Sequence, residues 1–233
     1  MDFLALLVGP EIGPEVVPGT DEFDAEVALH DEFGKYAGSA IVGGAALYPS
    51  ADAVTIRESD GAPLITDGPF VELAEVVVGG FYVFAADDLD TALDLTRRIP
   101  GMDEGYTELW PLESWTVSEE LAGCWLAIVR DQEQDAEQGA VGHSPSTTSP
   151  VASLASVTDA VRGVAVFRPP SSATTVRTRG DEMILSDGPE DAQEAATALY
   201  ILSAPDRAAA ADLACRIPVG PKGSVEVRRM VDE

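Results

Sequence analysis

Basic residues are scarce in this chain. Fourteen Lys and Arg face forty-one Asp and Glu over 233 residues, a net charge of -27, and Lys35 and Lys222 are the only lysines. A surface of that sign repels nucleic-acid phosphates and anionic membranes, which excludes both as partners. The acidity itself fits adaptation to salt or a GC-rich genome, with a cationic partner as the alternative. Cysteine is equally sparse. Cys124 and Cys215 stand at unrelated places and form neither a disulfide framework nor a metal-ligand pattern, so both read as small apolar residues. Long apolar runs are missing too. The N-terminal Phe3–Val8 is too short for a signal peptide or a membrane span, which leads us to expect a cytoplasmic protein. No serine nucleophile motif, cofactor lysine signature or metal cluster occurs, so no cofactor or metal is expected.

What is present is said twice. Arg57–Pro69 (RESDGAPLITDGP) returns as Arg177–Pro189 (RTRGDEMILSDGP) at an offset of 120 residues. Phe81–Pro100 returns as Leu199–Pro218 at an offset of 118, and Phe3–Val8 answers Trp125–Val129 at 122. The order and near-constant spacing indicate a tandem duplication of a unit of roughly 110 residues, with repeats at 1–115 and 121–233. Glu113–Leu121 reads as a short connector, and Asp131–Ser149 as a polar loop with little to bury.

Each repeat carries the same elements. Phe3–Val8, Ala40–Leu47, Ala53–Arg57, Gly79–Ala85 and Tyr106–Leu112 read as strands, and Asp21–Ala37 and Asp87–Arg98 as helices. Asp60-Gly61 marks a turn between Ile56 and Leu64. Leu89, Ala92, Leu93, Thr96 and Ile99 form one helical face, and RIP ends that helix in both repeats because a residue before proline leaves the α region. The order predicts an α+β fold: a split βαβ, ferredoxin-like half with both helices on one face of an antiparallel sheet. First strands that are apolar on both faces require cover on both. The two halves are therefore expected to pack sheet to sheet as an intramolecular, pseudo-dimeric α+β barrel.

The run TDGPFVE (Thr66–Glu72), with GGFY (Gly79–Tyr82), DLDTAL (Asp88–Leu93) and RIP (Arg98–Pro100), resembles the DGPF-type proteins of the YCII-related family. His30 three residues before Phe33, Gly43-Gly44 with Leu47, and the strand Thr55–Arg57 extend the resemblance upstream; in the second repeat it covers Thr174–Arg179, Ser186–Pro189, Arg216–Pro218 and Ser224–Arg228. The resemblance implies a dimeric α+β barrel, here covalently joined, and an inferred active-site His and Asp. Some relatives look like enzymes handling small cyclic or aromatic compounds; most have no established reaction, and some are encoded beside sigma factors. Fold follows from such a likeness more firmly than function.

His30 is the first candidate. On a helical wheel it shares an inward stripe with Phe23, Val27, Gly34 and Ala37, where an imidazole can titrate near neutrality or simply be a satisfied core residue. Asp67 is the second: it sits in a DGP turn, for which Asp is favoured on conformational grounds alone, or it approaches and orients His30. Arg57, Phe70 and Tyr82 are candidate ligand contacts, Arg57 as a carboxylate partner or a pair for Glu72, and Tyr82 as packing or as a site residue. His143 reads as a solvated loop residue. The second repeat supplies a control, because His30 maps to Pro150 and Phe70 to Glu190, while Asp67 maps to Asp187. Any active site is then single and lies in the first repeat. Two functions remain open: a module binding a small organic ligand in an inter-sheet cavity, for sensing or contact with a regulatory protein, and a cofactor-independent acid-base enzyme of isomerase or lyase type using His30 and Asp67. An arginine or tyrosine converging on His30 favours the enzyme. A monomer with an internal pseudo-dimer is expected.

Overall fold

A computed structural model describes residues 1–11, 18–59, 62–69, 77–118, 121–131, 158–180, 182–220 and 222–232. The expected Asp60-Gly61 turn and most of the polar loop, with His143, lie outside them. The chain is mixed α+β and rich in strands. In the first half β1 (Asp2–Gly9), α1 (Asp21–Ala37), β2 (Ile41–Ala46), β3 (Val54–Ser59), β4 (Ala62–Asp67), β5 (Val77–Ala85), α2 (Leu89–Thr96) and β6 (Tyr106–Val117) follow one another. The second half gives β7 (Cys124–Asp131), β8 (Val161–Phe167), β9 (Thr174–Arg179), β10 (Glu182–Asp187), β11 (Ala195–Ser203), α3 (Arg207–Ala214) and β12 (Ser224–Arg229).

Local chemistry accounts for the helices. Thr20 caps α1 by accepting the Phe23 amide at 3.2 Å, above a first turn bearing Asp21, Glu22 and Asp24, where the helix dipole favours negative charge. Asp88 and Asp206 cap α2 and α3 in the same way, through the amides of Thr91 and Ala209. In α2 the buried face is Ala92, Leu93, Leu95 and Thr96, and Leu89 stays exposed. Cys215, expected inside a helix, is the residue that caps α3.

Within each half the strands pair in the same antiparallel order, β2-β5-β1-β6 and β8-β11-β7-β12. The ladders do not stay within halves. The β3–β4 hairpin of the first half pairs with β12 through Ser224↔Arg57 to Val227↔Val54, and the β9–β10 hairpin pairs with β6 through Thr107↔Val176 to Leu109↔Thr174. At the offsets of 118 and 120, rungs such as Val225↔Ile56 and Thr107↔Val176 correspond. Where separate sheets were expected, one continuous twelve-stranded antiparallel sheet joins the described strands. The connector is also corrected: β6 runs on to Val117, because its second part pairs with β8 from Leu112↔Phe167 to Val117↔Gly163. The corresponding rung, Leu47↔Met230, ties the end of β2 to the residue after β12.

Three apolar clusters result. One draws Leu4, Phe81, Val83 and Trp110 from the first half and Leu126, Phe167, Leu199 and Met230 from the second, with no described helical residue in it. The others lie under the helices, Phe33, Leu93 and Leu95 over Phe3, Phe84 and Leu109 on one side, Ala210 and Ala214 over Ala127, Val225 and Val227 on the other. Polar groups fasten the exchanged hairpins. Gly68 and Gly188 take the left-handed conformation in the two DGP turns, at φ 96° and 81°, so glycine is required there. Thr55 and Thr175 donate to their carbonyls at 3.0 and 2.7 Å. The buried carboxylate of Glu108 accepts the Trp110 indole N–H at 3.2 Å and the Glu190 amide at 3.0 Å, binding β6 to the chain beyond β10. Burial, with Glu108 and then Glu190 nearby, pushes the Tyr106 phenol up to about 12. Replacing Glu108 with Ala orphans both donors, each at a cost of roughly 1–3 kcal/mol. Chemical denaturation of Glu108→Ala is expected to give an unfolding free energy lower by at least that amount.

Candidate functional site

The helix α1 meets the sheet chiefly through the ring of Phe33. Phe33 is its buried residue and stands edge-on to Tyr82 at 5.3 Å and to Phe84 at 6.2 Å. Tyr82 and Phe84 are two apart on β5, so they share a face, and their rings stack at 5.9 Å and 10°. Gly44 lies opposite Tyr82 on β2. A Cβ there would come within 2.9 Å of the Phe81 carbonyl and 3.0 Å of Tyr82 Cδ1, so only glycine lets this ring lie across the strand. Gly43 likewise makes room for Trp115, whose indole N–H donates to the Val42 carbonyl at 3.2 Å. The Gly43-Gly44 pair thus serves close packing of two aromatic rings.

His30, one turn before Phe33, comes down on the outer edge of this ladder. Its Nδ1 is 2.8 Å from the Tyr82 hydroxyl, and the two rings are 6.0 Å apart at 29°. The imidazole is half-buried, and burial pulls its pKa below 6.5, opposed by the Glu26 carboxylate one turn earlier. Nδ1 is occupied by the phenol, which leaves Nε2 as the ring atom available to another partner. A neutral imidazole can take a proton at Nε2 in the tautomer whose Nδ1–H donates to the Tyr82 oxygen, or give one there in the tautomer whose Nδ1 accepts the Tyr82 O–H. The inward stripe expected for α1 holds at Phe33, and Phe23, His30, Gly34 and Ala37 are half-buried, but Val27 is exposed.

The remaining candidates are dispersed. Asp67 does not meet His30: no hydrogen bond or ion pair joins them. Its carboxylate, 87% exposed, pairs with Arg207 at 2.7 Å at the start of α3. The reason is the hairpin exchange. Asp67 stands opposite Val54, which faces the α3 cluster, and the whole β3–β4 hairpin rides on β12. Arg57 lies opposite Ser224 on the same hairpin, and its counterpart Arg177 holds Glu190 at 2.6 Å beside the Tyr106 ring. Phe70 and Glu72 lie outside the described residues. Tyr200, the counterpart of Tyr82, is buried in the α3 cluster, and burial raises its phenol. Among the described candidates, then, the structure joins His30 to Tyr82 and ties Asp67 to Arg207 instead.

Two kinds of residue escaped the sequence reading. Glu26 acts on His30 from the i–4 position, a spacing that was legible on the helix. The buried charges Glu108, Glu226 and Arg228 were also missed; Arg228 Nη1 approaches Glu226 at 3.3 Å, and its Nη2 donates to the Tyr48 carbonyl at 2.6 Å. Their signal is a charge at inward positions of a strand that otherwise alternates with period two. Among the described residues no group of three or more His, Cys, Asp and Glu side chains gathers as metal ligands would. No described helix is long and apolar enough to cross a membrane.

A pH dependence follows from His30. Its folded pKa lies below the unfolded value of 6.5, so the unfolded chain binds the extra proton first as pH falls. The stability from keeping the ring neutral is full above pH 6.5 and is lost on descending from there toward the folded pKa. Melting temperatures between pH 7.5 and 5 are expected to fall more steeply for the wild type than for His30→Gln; parallel curves would show that the ring does not titrate differently on folding.

Comparison with known proteins finds a family-model match in the first half. Residues 16–116 match the family model of the YCII-related domain, a span that contains His30, Arg57, Asp67, Phe70 and Tyr82. Over 70 residues the chain is 39% identical to an uncharacterized protein of Rhizobium meliloti (strain 1021). That stretch is 29% of this chain, and the chain spans 56% of the relative's length.

Proposed function

We propose that this protein is a cofactor-independent acid-base enzyme acting on a small organic molecule, by isomerisation or elimination, with His30 as the group that moves the proton. The observation carrying this reading is the 2.8 Å contact between His30 Nδ1 and the Tyr82 hydroxyl. A half-buried imidazole held neutral near pH 7 by desolvation, with Nδ1–H donating to the Tyr82 oxygen, is suited to accept a proton at Nε2 from a C–H or O–H of a bound substrate. Glu26 then stabilises the imidazolium until the proton is returned. Tyr82 is the positioning residue in this scheme. Asp67, engaged with Arg207, has no part in the proton transfer and serves the hairpin.

The alternative reading, a module that binds a small ligand and signals to a regulatory protein, is supported by the lack of contact between His30 and a described second carboxylate that could act as its acid partner. Both readings put the ligand beside α1. The inter-sheet interior is a poorer place for it, since Trp110, Phe81, Phe167 and Leu199 are packed there. We further infer from the exchanged hairpins that the two halves are ferredoxin-like units forming one pseudo-dimeric barrel within a chain. That predicts the mass of a single chain by light scattering; a tight dimer would instead mean pairing between chains.

The functional test is a thermal-shift screen of small aromatic, lactone and carboxylic compounds, followed by turnover assays on whatever stabilises the wild type. His30→Ala is expected to abolish the stabilisation or to lower turnover by roughly 10²–10⁴-fold. Tyr82→Phe should displace the acid limb of the pH–rate profile while retaining binding, and Asp67→Ala should match the wild type. Stabilisation and turnover that survive His30→Ala would overturn the assignment. Binding without turnover would select the sensing module.

A further inference from the structure

A second place on the molecule differs between the halves in a way that identifies its occupant. The β3–β4 hairpin, β12 and the end of α3 form an open cleft of about 260 Å3 whose apolar lining includes Ile56, Pro63, Ala214, Ile217 and Val225, with Arg57, Glu58 and Arg216 also lining it. It lies on the α3 side of the sheet, away from His30. At offsets of 120 and 118 its walls correspond to Val176, Met183, Thr96, Ile99 and Thr107, between the β9–β10 hairpin and the end of α2. Met183 packs there against the cluster that includes Val176 and Ile99, and so does Met102. The counterparts of these two methionines are Pro63 and Gly220. The same framework therefore surrounds two long side chains in one half and a cleft in the other.

We propose that this cleft binds a short, unbranched aliphatic molecule with a neutral polar head. The shape argument comes from the counterpart: what fills the same framework is an unbranched chain, the kind of group that suits an irregular apolar gap. Apolar walls without such a filler lose the dispersion contacts that their equivalents keep. The volume falls below the roughly 300–1,000 Å3 of drug-sized pockets, so the occupant is small. Arg57, Glu58 and Arg216 supply donors and an acceptor in the lining, which a hydroxyl head can use both ways.

The experiment is a 1H–15N NMR titration of the full chain with 1-hexanol, with cyclohexanol as a compact control of the same carbon number. Saturable shifts confined to Ala214–Val219 and the neighbouring Ile56 and Val225 are expected, with affinity at least tenfold above that for cyclohexanol. Pro63→Met, which restores the filler at its register, is expected to remove them without lowering the melting temperature. The reciprocal variant Met102→Ala/Met183→Ala should create hexanol-dependent shifts at Ile99 and Val176. Indistinguishable alcohols, shifts centred elsewhere, or unchanged binding by Pro63→Met would each overturn the proposal. Should Pro63→Met fail to fold, the reciprocal variant decides alone: new shifts at Ile99 and Val176 support the cleft as a chain-shaped site, and their absence refutes it.

Discussion

The exchange of hairpins between halves governs the rest of the structure. Each half builds four strands in the order that its own sequence allows, but β12 and β6 would then each present an unpaired edge. The partner half's hairpin takes that edge, β3 on β12 and β9 on β6. Backbone groups at a buried edge need partners or the fold fails, so the ladder satisfies the requirement reciprocally. The placement of side chains follows. Asp67 reaches Arg207 because its hairpin lies on the second half's sheet. Val176 and Met183 complete the core beneath the first half's helices for the same reason.

The buried charges belong to that junction. Glu108 and Glu226 stand at equivalent positions on β6 and β12, facing Thr175 and Thr55 on the exchanged hairpins. Buried carboxylates are tolerable only when hydrogen-bonded or paired. Glu108 receives an indole and a backbone amide, while Glu226 approaches the almost fully enclosed Arg228 guanidinium. Two solutions to one constraint have been reached on a common frame. The same divergence set Tyr82 beside a histidine and enclosed Tyr200 in an apolar cluster.

Much of the local structure was legible in the sequence. The bounds of α1 follow from Thr20 and Gly38, and α2 and α3 end at Thr96 and Ala214, with one residue between each end and the RIP motif expected to stop it. Pro150, which stands at the histidine position by sequence offset, lies outside the described residues. The pairing of hairpins with the opposite half was not legible. Period-two alternation tells which face of β3 is apolar but carries nothing about which edge it joins, and β6 and β12 offer two similar edges. That ambiguity displaced Asp67 from His30. Tyr82 was legible as a candidate, but its hydrogen bond required the crossing of α1 over β5, which is set by Phe33 and permitted by Gly44. The extension of β6 to Val117 was hidden because its partner, β8, lies some fifty residues further along the chain.

Strand exchange also bears on how the chain is made. A hairpin ending at Asp67 finds its partner only when residues 224–227 exist, so during synthesis the first half waits through most of the chain with that ladder unformed. Loop-closure entropy grows only logarithmically with length and does not forbid such a contact, yet rates fall as contacts become less local. In the interval β4 carries Leu64 and Ile65, which stay exposed even in the folded protein, next to a β3 edge not yet covered. A nascent chain in that condition offers an apolar strand to any neighbour, including the β12 of another copy. The heavy negative charge of the chain opposes that encounter, since like-charged chains repel.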